Sequence, residues 1–393
     1  MTDIKPNNKT VTATDMLAEL VSIDSVNPDM PNGGKGEQEY SDWLIRFGNQ
    51  IGLETSQEEI LNGRSNAILE LRPTGATQTL LIDIHLDTVP IGGQLSSLSP
   101  VIENQRVYGR GSCDVKGAMV SALLALEELL TDPPQRTSIV LVGTIDEEYL
   151  KRGANAISNQ SDIAAAIVGE PTDLQPVVAH KGVLRWQIDT IGKAAHTANP
   201  ELGTNAIYGM IDVINYLRDN HSITHPTLRH PLCGDGTLTV SVISGGIQVN
   251  IVPEQCTIDI DRRLLPNEDP LTVWKEIKNE LENLCAEQER VGTEVTYHNP
   301  FLAETGIETS ATEPIVQACL DAASKVGSPQ ELQGVPFSTD ASPLNKHGTP
   351  CVVLGPGSIA QAHSAIEYVE MKQVVTCAQL YKRIVKSFDD ETD

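Results

Sequence analysis

Short, nearly continuous apolar runs alternate along the chain with segments of helical periodicity. Four of these runs have the length of a buried strand: TLLIDI (79–84), SIVLVGTI (138–145), AAAIVG (164–169) and CVVLG (351–355). Runs that are apolar on both faces are typical of parallel strands covered by helices. Segment 117–130 has apolar residues at helical spacing, and the Asp-Pro-Pro sequence that begins at Asp132 predicts its end. We therefore predict an α/β fold with a mainly parallel sheet covered by helices.

Histidines or carboxylates follow each of these runs: His85 and Asp87 after the first, Asp146, Glu147 and Glu148 after the second, Glu170 after the third and His363 after the fourth. In open α/β sheets, ligands bind beyond the carboxyl ends of the strands. The sequence therefore predicts that these side chains meet at one edge. Asp114 adds a further carboxylate where the predicted helix 117–130 begins, a position at which a helix N-cap is the alternative role.

The candidate ligands carry nitrogen and oxygen donors: His85, Asp114, Glu148, Glu170 and His363. Donors of this kind without a thiolate suit zinc, with cobalt or manganese as alternatives. If one carboxylate bridges, five residues supply three ligands to each of two ions. Asp87, two residues after His85, is placed to orient that imidazole from behind.

Glu147 and Glu148 are neighbours, and in an extended backbone neighbouring side chains point to opposite sides. We therefore expect one of them to bind metal while the other faces the reacting water as its general base. The alternative is a solvated acidic turn.

The charge balance limits the classes of partner. The chain has 393 residues with 53 acidic and 28 basic side chains, a net charge of −25, which disfavours binding to nucleic acid or to an anionic membrane surface. No apolar run approaches the roughly 18 residues of a membrane span. The N-terminus is polar and lacks the apolar region of a signal peptide, so we expect a cytoplasmic protein. The seven cysteines are scattered, and their spacing suggests neither a disulfide framework nor a thiolate zinc site.

Five motifs carry a resemblance to a known family: HLDTVP (85–90), YGRGSCDVKG (108–117), DEE (146–148), GEPT (169–172) and the late His363. In this order, and over nearly the whole chain, they resemble the two-zinc aminoacylase, glutamate carboxypeptidase, acetylornithine deacetylase and succinyl-diaminopimelate desuccinylase family. Segments 169–182 and 354–370 look most like the acetylornithine deacetylases. The resemblance implies that His85, Asp114 and Glu170 hold one metal. It implies further that Asp114, Glu148 and His363 hold the other, and that Glu147 is the catalytic base.

The same resemblance implies two domains. Residues 1–181 and 300–393 form the catalytic two-metal domain, and residues 182–299 form an inserted, smaller α+β lid that makes a homodimer. Within the lid, His196 matches a family histidine that polarises the scissile carbonyl. Asn250 and Arg263 match residues that hold the substrate, and a guanidinium binds a carboxylate through two parallel hydrogen bonds.

The expected activity is hydrolysis of an N-acyl amino acid, by resemblance an N-acetyl one as in arginine biosynthesis, with water as the second reactant. A succinyl-diaminopimelate desuccinylase, a general aminoacylase and a dipeptidase stay open as alternatives within the family. A dimeric binding protein without catalysis and a two-metal phosphatase are the alternatives outside this activity.

Overall fold

A computed structural model of the chain describes residues 13–90, 98–158, 162–221, 229–287 and 293–390. The chain divides into two compact units. The first comprises the described residues of Met1–Val178, Thr309–Gln333 and Thr339–Asp393, and the second those of Ala179–Glu308 and Gly334–Ser338.

The helices of the described residues are α1 (Ala13–Ser22), α2 (Gln38–Ile51), α3 (Gly117–Thr131), α4 (Arg152–Ile157), α5 (Ala206–His221), α6 (Pro270–Glu287), α7 (Pro314–Val326), α8 (Ala341–Asn345) and α9 (Met371–Asp390). The strands are β1 (Glu54–Leu61), β2 (Arg64–Leu71), β3 (Gln78–His85), β4 (Val101–Glu103), β5 (Arg106–Tyr108), β6 (Thr137–Thr144), β7 (Ile163–Val168), β8 (Val177–His180), β9 (Gly182–Ile191), β10 (Thr237–Gly245), β11 (Gln255–Leu264), β12 (Glu294–Tyr297), β13 (Leu302–Glu304), β14 (Ile307–Glu308), β15 (Gln333–Val335), β16 (Cys351–Val353) and β17 (Tyr368–Glu370).

The large sheet of the first unit has the strand order β1-β2-β6-β3-β7-β16-β8. Its four central strands, β6, β3, β7 and β16, run parallel, while β1 and β2 are antiparallel additions on one side. These central strands are the four apolar runs of the sequence, and every residue of β6 is buried. The predicted α/β class with a parallel sheet at its centre is confirmed. Because the four strands share a direction, the residues that follow them collect at one edge.

Helices of the first unit bury the sheet. Helix α3 matches the predicted segment 117–130 and packs against α9, which also contacts α7 and α1. Helix α2 packs on β1 and β2. The hydroxyl of Tyr381 on α9 donates a hydrogen bond of 2.6 Å to the carbonyl of Leu354, which fixes this helix to the end of β16 beside the edge that carries the candidate ligands.

The second unit is a small α+β structure, as the family resemblance implies. Its sheet has the order β10-β11-β9-β12, with β13 also paired to β9. Among the described residues, its two long helices are α5 and α6. Alternate residues of β9 and β11, such as Trp186 and Ile260, pack with these helices in a separate core. Whether this unit acts as a lid and a dimerisation domain stays a prediction.

Two further expectations concern the chain as a whole. None of the described helices is long and apolar enough to cross a membrane. The cysteines whose side chains are described are free and buried, as core residues would be: Cys113, Cys233, Cys256, Cys319, Cys351 and Cys377. The side chain of Cys285 lies outside the described residues.

Asp389 provides a pH-dependent test of how α9 is held. Its carboxylate accepts hydrogen bonds from the backbone N–H groups of Gln135 (2.7 Å) and Arg136 (2.8 Å). Burial alone would raise the pKa of Asp389, but these backbone bonds lower it. A depressed folded-state pKa stabilises the fold above the unfolded value, near 3.9, and this contribution is lost as the pH falls through the folded value.

We predict that Asp389→Asn lowers the free energy of unfolding by about 1–2 kcal/mol at pH 7, because the amide offers one acceptor where two are needed. Urea unfolding at pH 7 and near pH 3 measures the difference between the variant and the wild-type chain. The difference should shrink at the acidic pH, and a difference that is equal at both pH values would contradict this role.

Candidate metal centre

The carboxyl ends of three neighbouring strands bring the first ligand candidates together. His85 is the last residue of β3 and pairs in register with Thr144, the last residue of β6. Glu170 follows β7, which is hydrogen-bonded to β3 on its other side. His85 and Glu170 are buried, with 3% and 5% of their surface exposed. The parallel register therefore explains why residues far apart in sequence share one site.

Asp114 lies between two histidines. Its Oδ1 is 3.1 Å from Nε2 of His85, and its Oδ2 is 3.4 Å from Nε2 of His363. The residue lies in a kinked turn, Ser112–Lys116, in which its own backbone is non-helical (φ −120°, ψ 87°), and the N-cap of α3 is Lys116. The alternative role as a helix N-cap is therefore wrong, and the two carboxylate oxygens face separate nitrogen donors.

His363 closes the cluster from a loop after β16. Its backbone has a φ of 56°, its side chain is about half exposed, and its Nε2 lies 3.1 Å from Oε1 of Glu148. Ligand atoms of His85, Asp114 and Glu148 all lie within 4.8 Å of one another, and the same holds for His85, Glu147 and Glu170. The structure thus brings together all of the side chains that the sequence nominates as ligands.

The side chains of Glu147 and Glu148 point to different partners, but not because the backbone is extended. The expectation of an extended backbone is wrong, because both residues lie in a turn after β6. Glu148 faces His363, whereas Oε1 of Glu147 contacts Nζ of Lys151. Sequence reasoning missed Lys151, although its spacing of four residues from Glu147 is the spacing at which side chains meet across a helical turn.

Asp87 holds both the imidazole and the acidic turn. Nδ1 of His85 lies 2.9 Å from the backbone carbonyl of Asp87 and 3.6 Å from its Oδ1. The carboxylate accepts the backbone N–H groups of Glu147 (3.0 Å) and Glu148 (3.1 Å) and the side-chain amide of Asn27 (2.8 Å). The carbonyl thus leaves Nε2 of His85 free for a ligand, while the carboxylate fixes the turn.

A second buried carboxylate holds Asp114 in place. Oε1 of Glu367 accepts the backbone N–H groups of Cys113 (3.0 Å) and Asp114 (3.1 Å), and its other oxygen pairs with Arg110. Glu367 lies only four residues after His363. It therefore ties the turn that carries Asp114 to the segment that carries His363. Sequence reasoning missed this link because the partners are about 254 positions apart.

The turn after β6 is braced from behind by a buried ion network. Arg64 binds the carboxylate of Glu37 through Nε (2.7 Å) and Nη2 (2.6 Å), and its Nη2 lies 3.3 Å from Oδ1 of Asp146. The side-chain amide of Asn27 donates to the same Oδ1 at 3.0 Å. Asp146, with a φ of 70°, is thereby held in a conformation that L-residues rarely adopt.

The electrostatics of the cluster favour a bound cation. Burial, with the charge of Asp114 added, raises the pKa of Glu148 to about 7 and that of Glu170 well above its usual range. Hydrogen bonds to Asp114 and Glu148 raise the pKa of His363 to about 11. Burial opposes ionisation of Asp114, but its bonds to His363 and His85 lower its pKa. The concentrated, buried carboxylates therefore require positive charge close by. The nitrogen donors of the histidines and the oxygen donors of the carboxylates fit divalent ions.

The remaining site candidates lie in the second unit. His196 is exposed, its Nδ1 accepts the backbone N–H of Ala198 at 3.1 Å, and the neighbouring Thr197 donates to the carbonyl of Asn250 at 3.2 Å. His196 and Asn250 therefore come from adjoining loops. The predicted roles of His196 and Asn250 toward the substrate stay predictions.

Arg263 and Arg262 point in different directions from β11. Arg262 is buried and bound to Glu268 at 2.8 Å. Arg263 is partly exposed, and its Nε binds Asp261 at 2.7 Å, on the side of the strand opposite to the core residue Ile260. Of the two arginines, Arg263 is thus the one with a surface available to a substrate, and its role there stays a prediction.

Comparison with known proteins identifies the family. Residues 81–387 match Peptidase family M20/M25/M40. The chain belongs to this family. The family recognised from the motifs is therefore confirmed, and this M20 protein is classed as a hydrolase.

Relatives of this M20 protein carry two activities in their names. It is 28% identical over 372 residues to an acetylornithine deacetylase of Aliivibrio fischeri, which covers 90% of this chain and 93% of that protein. It is 25% identical over 407 residues to a probable succinyl-diaminopimelate desuccinylase of Staphylococcus epidermidis, covering 95% and 96% of the two chains. A dinuclear metal-binding M20 peptidase of Bacillus subtilis shares the fold, with a TM-score of 0.71 at 15% identity over 95% of this chain and 96% of that one.

We predict that Asp87→Asn weakens the binding of divalent ions by about 10- to 100-fold, because an amide cannot accept all of the N–H groups that the carboxylate accepts. Titration calorimetry with zinc measures the affinity. Asp389→Asn is the control, since it weakens the fold away from the cluster and should leave the zinc affinity unchanged. Equal affinity in the Asp87 variant and the wild-type chain would show that this bracing does not support the site.

Proposed function

We propose that this M20 hydrolase binds two divalent ions, with zinc as the favoured metal. In this proposal it removes an N-acyl group from an amino acid, with acetyl as the favoured acyl group. The observation that carries the proposal is Asp114, whose two oxygens face His85 and His363 separately. A carboxylate in this arrangement is suited to bridge two ions. The names of the acetylornithine deacetylase and desuccinylase relatives support the class of substrate.

In this proposal, His85, Asp114 and Glu170 would hold one ion. Asp114, Glu148 and His363 would hold the other. The likeness to the dinuclear metal-binding peptidase of Bacillus subtilis supports the number of ions. When bound, they supply Lewis acidity that polarises the amide carbonyl and acidifies the attacking water.

Glu147 acts as the general base in the proposed reaction. It takes a proton from the attacking water as the new C–O bond forms, and it returns that proton to the amine nitrogen as the C–N bond breaks. The products are a carboxylate and a free amino acid. The placement of Glu147 supports this role, because its backbone is bound by Asp87 and its carboxylate lies beside the ligand atoms of His85 and Glu170.

The second unit supplies recognition in this proposal. Arg263 binds the substrate carboxylate through parallel hydrogen bonds, and Asn250 contributes a further polar contact. His196 donates to the oxyanion that develops on the scissile carbonyl. The exposure of His196 and Asn250 and the partly exposed guanidinium of Arg263 support these roles.

The proposed activity is tested by a panel of substrates: N-acetylornithine, N-acetylmethionine, N-succinyl-diaminopimelate, a dipeptide and a phosphate monoester. Each is assayed with added zinc, cobalt or manganese. We expect amide hydrolysis with the highest kcat/KM for N-acetylornithine. Preference for the succinyl substrate would replace the acetyl assignment, and turnover of the phosphate ester alone would overturn the proposed reaction.

We predict that Glu147→Gln lowers kcat by about 10²- to 10⁴-fold, the usual contribution of a positioned base, because the amide cannot accept a proton. The metal content, measured by elemental analysis, should equal that of the wild-type enzyme. Full activity in this variant would refute the role of Glu147, and a loss of metal would show that it serves as a ligand instead.

We also propose a homodimer formed through the second unit. Apolar side chains of this unit are strongly exposed: Tyr208 (70%), Ile247 (86%) and Val249 (96%), with Val242 and Ile243 on β10 about half exposed. β10 lies at one end of the order of described strands. Exposed apolar groups beside an edge strand are typical of an interface between subunits.

We predict that Tyr208→Glu dissociates this dimer, because it places a charge in the apolar surface of α5. Sedimentation equilibrium should give twice the 42.5 kDa chain mass for the wild-type protein and the chain mass for the variant. A monomeric wild-type protein would contradict the proposed dimer.

A further inference from the structure

The carboxylate of Glu147 lies close enough to the cluster to act as a metal ligand as well as a base. One of its oxygens lies within 4.8 Å of the ligand atoms of both His85 and Glu170. A carboxylate that coordinates a cation no longer offers the same electron pair to a proton. The fold must therefore hold Glu147 so that it stays outside the ligand set, if it is to act as the base.

Lys151 is the buried cation that contacts Glu147. Only 4% of its surface is exposed, and its Nζ contacts Oε1 of Glu147. Burial of an ammonium group without a partner is costly, so the carboxylate and the ammonium hold each other.

Asp340, a second acid near this ammonium group, is engaged elsewhere. Oδ1 of Asp340 lies 3.9 Å from Nζ of Lys151, beyond hydrogen-bond distance, and its Oδ2 is bound to the hydroxyl of Thr144 at 3.0 Å. Glu147 is therefore the carboxylate in direct contact with Lys151 among the described residues. The nearby Arg152 instead binds Asp29 at 2.8 Å and Oδ2 of Asp146 at 2.9 Å.

The backbone of Lys151 is held as firmly as its side chain. It has a φ of 54° just before α4, its N–H donates to the carbonyl of Asp146 at 2.6 Å, and its carbonyl accepts the N–H of Asn155 at 3.0 Å. The ammonium group thus projects from a fixed turn, and Glu147 must accommodate to it. A side chain on a braced turn is suited to position another group.

We propose that Lys151 is a positioning residue that occupies one oxygen of Glu147 and so keeps this carboxylate available as the base rather than as a metal ligand. The inference rests on the proposed function, in which Glu147 is the base. It explains why Glu147 would act as the base while the neighbouring carboxylates would act as metal ligands.

The kinetic test compares Lys151→Met, Lys151→Arg and the control Lys325→Met, with the amide that the wild-type enzyme hydrolyses best. Lys325 likewise pairs with an acid four residues earlier, Asp321 at 2.6 Å, but on α7. Lys151→Met should lower kcat by about 10- to 100-fold, the effect of a misplaced catalytic group, with KM within about twofold of wild type. Lys151→Arg should recover part of the loss, and Lys325→Met should match wild type. If Lys151→Met is insoluble, Lys151→Gln takes its place.

A double variant distinguishes positioning from general support of the fold. When Glu147→Gln has already removed the base, the addition of Lys151→Met should cost little further in kcat, because the two residues act as one unit. A further loss equal to that of the single variant would overturn the proposal, as would a wild-type kcat in Lys151→Met.

The visible absorption of the cobalt-loaded protein provides a readout without substrate, since it reports the number and geometry of the ligands. Lys151→Met should change the spectrum as Glu147 joins the metal, and the double variant should show the spectrum of Glu147→Gln alone. An unchanged spectrum in Lys151→Met would overturn the proposal. If no amide is hydrolysed by the wild-type enzyme, the proposed function fails, whereas the cobalt spectra still decide the role of Lys151.

Discussion

The site depends on the burial of several like charges around one carboxylate. Asp114 faces a histidine on each side, and Glu148, Glu170 and Glu147 lie close by with little access to water. In surroundings of low polarity, such a group of carboxylates is stable only with protons or cations among them. The raised pKa values of Glu148 and Glu170 show that these carboxylates retain protons more readily than usual. Bound divalent ions would supply the positive charge instead.

Much of the surrounding structure supports this concentration of charge. Asp87 binds the turn that carries both glutamates, Glu367 binds the turn that carries Asp114, and Arg64 pairs with the acids behind them. Each of these groups is buried and hydrogen-bonded, so each limits the motion of a ligand without entering the ligand set. The parallel strands supply the common edge, and the buried polar network fixes the side chains there.

The sequence predicted the parts of this structure that depend on local pattern. Apolar runs identified the four parallel strands, and the polar residues that follow them identified the ligand candidates. Prediction failed where the local conformation depends on distant partners. Glu147 and Glu148, expected in an extended backbone, lie in a turn braced by Asp87. Glu367 and Arg64 were missed because no periodicity connects residues that meet only after folding.

The central claim is that five side chains from separate segments hold a pair of cations through the shared carboxylate of Asp114. The most direct measurement is the number of zinc ions bound per chain, by elemental analysis after dialysis, in the wild-type protein and in His363→Ala. The account predicts two ions in the wild-type protein and one in the variant, because the variant removes a ligand of only one ion. A single ion in the wild-type protein, or two retained in the variant, would contradict it.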